Sequence, residues 1–195
     1  MARVYCAGPL FNTPERREML EIATQLERGG HETFLPQRDG LELAELEPVL
    51  ATLAEQRTAS EVLHRAIFSV DIFKLLSWSD GVVANFNGRV PDEGTVVEAA
   101  LAWHAGKALV IYKNDSRAAF AGRDNPMLTG LTDGRFVNEL GEVVGLLEAQ
   151  VAERREARLQ DALDIGRRIN AVRAQAKDVR AMATALLQIT AGRRL

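Results

Sequence analysis

Cysteine and long apolar runs are what this sequence most lacks. Cys6 is its single cysteine, and no apolar run approaches the roughly 20 residues that a transmembrane helix needs. One cysteine excludes an internal disulfide and a metal site built only from cysteines, and it is typical of the reducing cytoplasm. Met1 to Arg3 lead directly into a strand-like segment with no signal-peptide pattern. We therefore expect a cytoplasmic protein with no membrane segment, in which Cys6 is buried and inert.

Basic charge is scarce except at one end of the chain. The net charge of -3 argues against general nucleic-acid binding, which needs a basic face. Residues 1–150 hold 14 Lys and Arg against 22 Asp and Glu, whereas residues 151–195 hold 10 against 5 and contain no aromatic residue. This shift predicts an α/β domain over residues 1–150 and a helical tail over residues 151–195.

The tail carries an apolar stripe at alternating spacings of three and four residues. Such a heptad pattern must be buried, and we expect it to mediate self-association. The alternative, that its arginines contact nucleic acid, lacks interleaved aromatic residues or a known binding motif. The stripe consists of Ala162, Ile165, Ile169, Val172, Ala176, Val179, Ala183 and Leu186.

The central part of the chain reads as a strand, a helix and a second strand. Gly81 to Phe86 is short and rich in β-branched residues, as in a buried strand, and Ala108 to Tyr112 is a second such run. Between them Thr95 can cap a helix that ends at Gly106. One face of that helix would be apolar, with Val97, Ala100, Leu101 and Ala105. This is one βαβ unit of a parallel sheet.

The first part of the chain repeats the pattern. A strand from Arg3 to Phe11 ends in a Gly-Pro turn, a helix follows with Thr13 as its N-cap and Arg28 near its end, and His31 to Pro36 forms a second strand. Elsewhere the sequence predicts a short helix or lid between Asp39 and Arg57 and a helix from Thr58 or Ser60 to Leu76. It also predicts a last strand at Arg135 to Val137 and a closing helix from Glu142.

Acidic residues cluster where the site of an open parallel sheet should lie, at the carboxyl ends of its strands. Asp92, Glu93 and Glu98 fall within seven positions after the central strand. Like charges so close together raise one another's pKa and would repel a phosphate, which indicates acid, base or nucleophilic chemistry on a neutral or cationic substrate. Alternatively, Glu93 and Glu98 only complement the positive end of a helix dipole.

An ordered set of motifs resembles the nucleoside 2-deoxyribosyltransferases. The set comprises Val4 to Phe11, Asp71 in a helix ahead of Ser79 to Ala84, Asp92 to Glu98, and Gly106-Lys107. The resemblance extends from residue 3 to about residue 137. It implies a flavodoxin-like, Rossmann-like parallel sheet of about five strands with helices on both faces, to which this chain adds a C-terminal helical extension.

The same resemblance implies roles for three residues. Glu98 would attack the anomeric carbon and form a glycosyl-enzyme ester, which a second nucleobase or water resolves. Tyr5 would position Glu98 through its hydroxyl. Asp71 would protonate the departing base and deprotonate the incoming one, which requires a raised pKa. Taken alone, an aspartate in the middle of a helix is usually exposed to solvent.

The resemblance also implies how the substrate is held. Asp92 matches a substrate-binding carboxylate, Gly94 lies in the same loop, and Asn125 resembles an asparagine that reaches a neighbouring subunit's sugar, with Asn138 as a competitor. Gly8 would let backbone amides approach a ligand, or it only forms a tight turn. No cofactor or metal is implied.

The expected partners are 2'-deoxyribonucleosides, free nucleobases and further copies of this chain, with neither nucleic acid nor membrane among them. A carboxylate at Asp92 would disfavour a dianionic phosphate, so we favour nucleosides as substrates. Two alternatives remain: a 2'-deoxynucleoside 5'-monophosphate N-glycosidase, and a non-catalytic nucleoside or nucleotide sensor.

Overall fold

The computed structural model describes residues 1–41, 43–53, 56–117 and 123–152, and positions 160, 164–165, 167–169, 171–172, 175 and 185. The chain divides into two compact units, Met1–Glu153 and Arg154–Leu195. Most of the predicted heptad stripe, including Ala162, Ala176 and Leu186, lies outside the described residues. Self-association through the tail and a boundary near residue 150 therefore stay predictions.

A parallel sheet forms the centre of the first unit. Its strands are β1 (Arg3–Ala7), β2 (Glu32–Phe34), β3 (Gly81–Asn85) and β4 (Ala108–Tyr112), in the order β2-β1-β3-β4. All neighbouring strands are parallel, with Tyr5 in register with both Phe34 and Val82. The order is that of the flavodoxin-like fold, so the predicted α/β class is confirmed.

The predicted fifth strand, Arg135 to Val137, is reduced to one residue in the described chain. Val137 forms an isolated parallel bridge with Tyr112, and its N–H donates to the Ile111 carbonyl oxygen over 2.9 Å. Asp133, with φ of 54°, and Gly134, with φ of 75°, turn the chain immediately before it, and a helix begins at Leu140. The segment is therefore too short to extend the ladder beyond Val137.

Helices cover both faces of the sheet. Their bounds are α1 (Thr13–Arg28), α2 (Pro36–Asp39), α3 (Leu43–Leu53), α4 (Gln56–Phe73), α5 (Glu93–His104), α6 (Pro126–Thr129) and α7 (Leu140–Ala152). A π-helical turn, Lys74–Trp78, continues α4, and a 3₁₀ turn, Gly130–Thr132, follows α6. Among the described helices, none has both the length and the apolar character that a bilayer crossing requires.

The element boundaries differ from the predictions at β1 and α1. Strand β1 ends at Ala7, not at Phe11. The N-cap of α1 is Asn12, not Thr13, because the Asn12 side chain accepts a hydrogen bond from the N–H of Glu15. The end of α1 at Arg28 is as predicted. The uncertain stretch between Asp39 and Arg57 is largely helical where it is described.

Successive residues of β1 point to opposite faces of the sheet, as predicted. Cys6 packs with α1 and α7 on one face, whereas Tyr5 packs with α5 and the π-helical turn on the other. Both side chains are fully buried. Burial raises the pKa of the Cys6 thiol to about 12, so the thiol stays protonated near neutral pH.

Helix α5 presents a different face to the sheet than its apolar pattern predicts. Its buried residues are Thr95, Ala99 and Ala102, whereas Val97 is 55% exposed. Leu101 is only partly buried, and Ala100 and Ala105 are exposed. The small side chains of Ala99 and Ala102 let the helix approach the sheet closely, and Val97 points away from the sheet.

Gly8 follows β1 at a point where the chain passes close to α1. A Cβ atom at this position would lie 2.1 Å from the Met19 Sδ. Met19 is fully buried, so its side chain has little room to move. The glycine is therefore explained by close packing against α1, and its predicted contact with a substrate stays a prediction.

We expect Gly8→Ala to lower the free energy of unfolding by about 1–3 kcal/mol, because the added methyl overpacks the Met19 side chain. The matched control is Gly145→Ala in α7, where an added Cβ meets nothing within 4 Å. This second change should stabilise the protein by about 0.5–1 kcal/mol. Denaturant unfolding measures both, and equal stability of Gly8→Ala and the unsubstituted protein would contradict the packing constraint.

Candidate active site

The candidate site lies on the α5 face of the sheet, beside the carboxyl ends of β1 and β3. These two strands are neighbours, but the chain leaves β1 for α1 on one face and β3 for α5 on the other. A crevice forms where successive connections diverge in this way. Tyr5 on β1, Asp71 on α4 and Glu98 on α5 all belong to this region.

A hydrogen bond joins Tyr5 to Glu98 across 93 positions of sequence. The Tyr5 hydroxyl donates to the Glu98 Oε1 over 2.6 Å. The Tyr5 ring is fully buried and stacks on Phe34, with the ring centroids 5.6 Å apart. Burial, followed by the nearby charges of Glu98 and Asp71, raises the phenol pKa far above its usual value. Tyr5 therefore stays a hydrogen-bond donor across the whole working pH range.

Glu98 and Asp71 both hold protons more strongly than ordinary carboxyl groups. Burial is the main reason that the pKa of Glu98 rises to about 7. The charges of Asp71 and Asp92 raise it further, whereas the hydrogen bond from Tyr5 acts in the opposite direction. Burial alone raises the pKa of Asp71 to about 6, so this mid-helix aspartate is not an ordinary exposed one.

Asp71 and Glu98 line one cavity of about 280 Å³. No lysine or arginine lines it among the described residues, and most of its wall is apolar. Glu93 and Gly94 contribute from the first turn of α5. The full lining is Phe68, Asp71, Ile72, Leu75, Glu93, Gly94, Val97, Glu98 and Leu101. The described part of the wall thus combines an apolar surface with carboxyl groups, and it offers no lysine or arginine to a phosphate.

Asp92 is the N-cap of α5, a role predicted for Thr95. Its Oδ2 accepts hydrogen bonds from the Thr95 N–H over 2.7 Å and from the Thr95 hydroxyl over 2.8 Å. A carboxylate at this point also complements the positive end of the helix dipole. Asp92 does not contribute to the cavity lining, so a contact with substrate stays a prediction.

Asn125 likewise acts as a helix cap in the described structure. Its Oδ1 accepts a hydrogen bond from the N–H of Met127 at the start of α6. Neither Asn125 nor Gly8 belongs to the lining of the cavity. Of the predicted site residues, Asp71, Gly94 and Glu98 line the cavity, and Tyr5 is joined to it by its hydrogen bond to Glu98. Gly8, Asp92 and Asn125 lie outside the cavity wall.

Five apolar residues of the cavity wall were not predicted as site residues: Phe68, Ile72, Leu75, Val97 and Leu101. Phe68 and Val97 are 63% and 55% exposed. Phe68 lies three positions before Asp71 and therefore on the same side of α4. This spacing in the sequence could have indicated that Phe68 lies beside Asp71. Metal binding has no support in the described part of the chain, where no group of three or more His, Cys, Asp and Glu side chains could hold an ion.

Comparison with known proteins identifies the family. The sequence model of the nucleoside 2-deoxyribosyltransferases matches residues 4–157, which is most of the chain. The chain belongs to this family. No curated protein sequence is significantly similar to it.

Two solved structures show the same fold as this deoxyribosyltransferase family member. A conserved protein from Enterococcus faecalis V583 superposes with a TM-score of 0.59 at 21% identity, covering 77% of this chain and 99% of that one. The 2-deoxyribosyltransferase of the psychrotolerant bacterium Bacillus psychrosaccharolyticus superposes with a TM-score of 0.51 at 20% identity, covering 73% and 90%. At these identities the matches establish the architecture.

Glu98→Gln should stabilise this family member at neutral and alkaline pH. The folded-state pKa of about 7 exceeds the usual 4.5, so between these two pH values the unfolded chain releases a proton that the folded protein keeps, and the folded state loses stability as the pH rises. The gain should be absent near pH 4, grow between pH 4.5 and 7, and reach about 2–3 kcal/mol above that. Thermal unfolding measured across this pH range checks it.

The matched control is Glu93→Gln, one turn earlier on α5, where the side chain is exposed and no buried charge is removed. A gain of equal size in both variants, or a Glu98→Gln gain that does not change with pH, would contradict a buried carboxylate at position 98.

Proposed function

We propose that this protein transfers 2-deoxyribose between nucleobases by double displacement through a glycosyl ester on Glu98. The observation that carries the proposal is the 2.6 Å hydrogen bond from Tyr5 to one oxygen of Glu98, in a cavity that Asp71 also lines. This arrangement combines a held nucleophile with a proton donor and an apolar wall. Family membership supports the same class of reaction.

In the first step the free oxygen of Glu98 attacks the anomeric carbon of the sugar. The bond from that carbon to the base nitrogen breaks, its electron pair stays on the nitrogen, and Asp71 supplies the proton that neutralises the departing base. The hydrogen bond from Tyr5 to the Glu98 Oε1 orients the carboxylate and disperses its charge. The product is an ester between Glu98 and the sugar.

In the second step an incoming base resolves the ester. Its nitrogen attacks the anomeric carbon, Asp71 takes the proton that the nitrogen loses, and the electron pair of the ester bond returns to Glu98. Both enzyme groups end in the ionisation state in which they began. Water in place of the base would give the free sugar, which is the hydrolase alternative.

The charge of the cavity favours nucleosides over nucleotides. Its described lining has three carboxyl groups, Asp71, Glu93 and Glu98, and no cation. A dianionic phosphate would therefore enter against like charge in a poorly solvated space. The 5'-monophosphate N-glycosidase and the non-catalytic sensor remain the alternatives, and the first of these would have to bind its phosphate beside these carboxyl groups.

The oligomeric state of the protein and its cellular compartment stay predictions. Asn125 lies outside the cavity wall, and Met127 beside it is 79% exposed, as expected of a segment that reaches a neighbouring subunit's site. We expect a cytoplasmic homo-oligomer that acts in nucleoside salvage. Size measurement in solution, with and without residues 151–195, tests the assembly.

Incubation of 2'-deoxyinosine with adenine, or of thymidine with cytosine, should yield the exchanged nucleoside. Glu98→Ala should abolish exchange, whereas Glu93→Ala should keep it within a few-fold, because only Glu98 accepts the bond from Tyr5. A nucleoside with a 2-fluoro sugar should leave a covalent adduct on Glu98, seen by mass spectrometry.

The assay also separates the alternatives. Base release from a 2'-deoxynucleoside 5'-monophosphate, without exchange on any nucleoside, would point to the N-glycosidase. Stabilisation by ligand without turnover would point to the sensor.

The rate of exchange should depend on pH with a maximum between pH 6 and 7. The competent enzyme has an ionised Glu98 and a protonated Asp71, yet their pKa values of about 7 and about 6 favour the opposite arrangement. About a tenth of the singly protonated enzyme is then competent. Tyr5→Phe removes the hydrogen bond that lowers the Glu98 pKa. It should therefore lower the maximum rate and shift the alkaline limb of the kcat/KM profile to higher pH. An unmoved limb would contradict this assignment.

A further inference from the structure

A second polar network lies on the opposite face of the sheet from the cavity. Its centre is Glu18, on α1, whose carboxylate accepts two amide hydrogen bonds. The Asn85 Nδ2 donates to Glu18 Oε2 over 2.8 Å, and the Asn87 Nδ2 donates to Glu18 Oε1 over 2.6 Å. Asn85 is fully buried at the end of β3. Each carboxylate oxygen therefore has its own donor.

The same two amides use their oxygens to bind the backbone. Asn85 Oδ1 accepts from the Asn87 N–H over 3.0 Å, and Asn87 Oδ1 accepts from the N–H groups of Asn114 and Asp115 over 2.9 and 3.1 Å. Asp115 Oδ2 in turn accepts from the Gly88 N–H over 3.1 Å. The network thus ties α1 to the segment after β3 and to the segment after β4.

This network holds the loop that sets the start of α5. Residues 86–92 connect β3 to α5, and the loop ends at the N-cap Asp92. Gly88, with φ of +109°, turns the loop immediately after Asn87. The position of this loop decides where α5 begins, and hence where Glu98 lies relative to Tyr5. A misplacement of about 1 Å at a reacting group can cost on the order of a hundredfold in rate.

We propose that Glu18 is a positioning residue of the transfer reaction, acting through Asn85 and Asn87 on the loop that carries α5. The inference rests on the proposed function for its catalytic readout. Only an ionised carboxylate offers an acceptor to both amides at once. A glutamine offers one acceptor and one donor, and flipping either asparagine would break its bond to the backbone instead.

Glu18→Gln should be disruptive even though glutamine has nearly the same size and shape as glutamate. The NH₂ group introduced at position 18 would face one of the two asparagine donors with another donor, so one bond of the network is lost in any arrangement. We expect kcat for exchange to fall at least tenfold with KM changed less than threefold, because none of the three network side chains lines the cavity, whereas a small shift of Glu98 impairs its attack on the anomeric carbon. Asn87→Asp should have a similar effect, since it sets two carboxylates against each other.

The double variant Glu18→Gln with Asn87→Asp restores the pattern with its polarity reversed. The amide oxygen at position 18 then accepts from Asn85, and the NH₂ group beside it donates to the new carboxylate at position 87. The second oxygen of that carboxylate still accepts from the N–H groups of Asn114 and Asp115. The number of charges is unchanged, so we expect kcat to recover to within threefold of the unsubstituted protein.

The control is Glu21→Gln, on the next turn of α1. The Glu21 carboxylate pairs with Arg17 and does not contact the loop, so its loss should leave kcat within threefold of the unsubstituted protein.

Two results would overturn the proposal. One is an unchanged kcat in Glu18→Gln, whether or not its melting temperature falls. The other is a double variant no better than the single ones.

If the unsubstituted protein shows no exchange, the proposed function fails by itself, and amide hydrogen exchange at Gly88 and Asp115 then decides whether Glu18 holds the loop. Protection lost in Glu18→Gln and regained in the double variant supports it, and unchanged protection refutes it.

Discussion

The hydrogen bond between the Tyr5 hydroxyl and Glu98 is the contact on which the candidate site depends. It joins the central strand β1 to helix α5, and it holds a carboxylate in a place where burial penalises its charge. The phenol offsets part of that cost, and the remainder appears as a pKa of about 7. A carboxylate in this state is oriented and poorly solvated, which are the conditions under which it can attack a carbon centre.

The parallel sheet separates the parts that react from the parts that support them. On one face, Tyr5 and Asp71 surround Glu98 beside an apolar wall. On the other, Glu18 binds the amides of Asn85 and Asn87, which hold the loop leading to α5. Because β1 and β3 are adjacent and their connections leave on opposite faces, the loop after β3 is bound on the α1 side, while the helix that follows it carries Glu98 on the other side.

Several features were predicted correctly, and the errors have physical reasons. The alternation of Tyr5 and Cys6 followed from the period of a strand. The N-cap of α5 was misassigned because threonine and aspartate are both good caps, and only the hydrogen bonds of Asp92 distinguish them. Val97 was placed on the buried face of α5 because it is larger and more apolar than Ala99 and Ala102, although close packing favours the small residues.

The order of strands and helices, the βαβ units and the acidic residues after β3 were determined by the sequence, because periodicity and turn chemistry act over short distances along the chain. The tertiary structure decided which acids share a cavity and which serve as caps. Asp71 and Asp92 are both aspartates near α5, yet one lines the cavity and the other is bound to Thr95. Desolvation and hydrogen-bond partners set those roles, and both depend on how the chain packs in three dimensions.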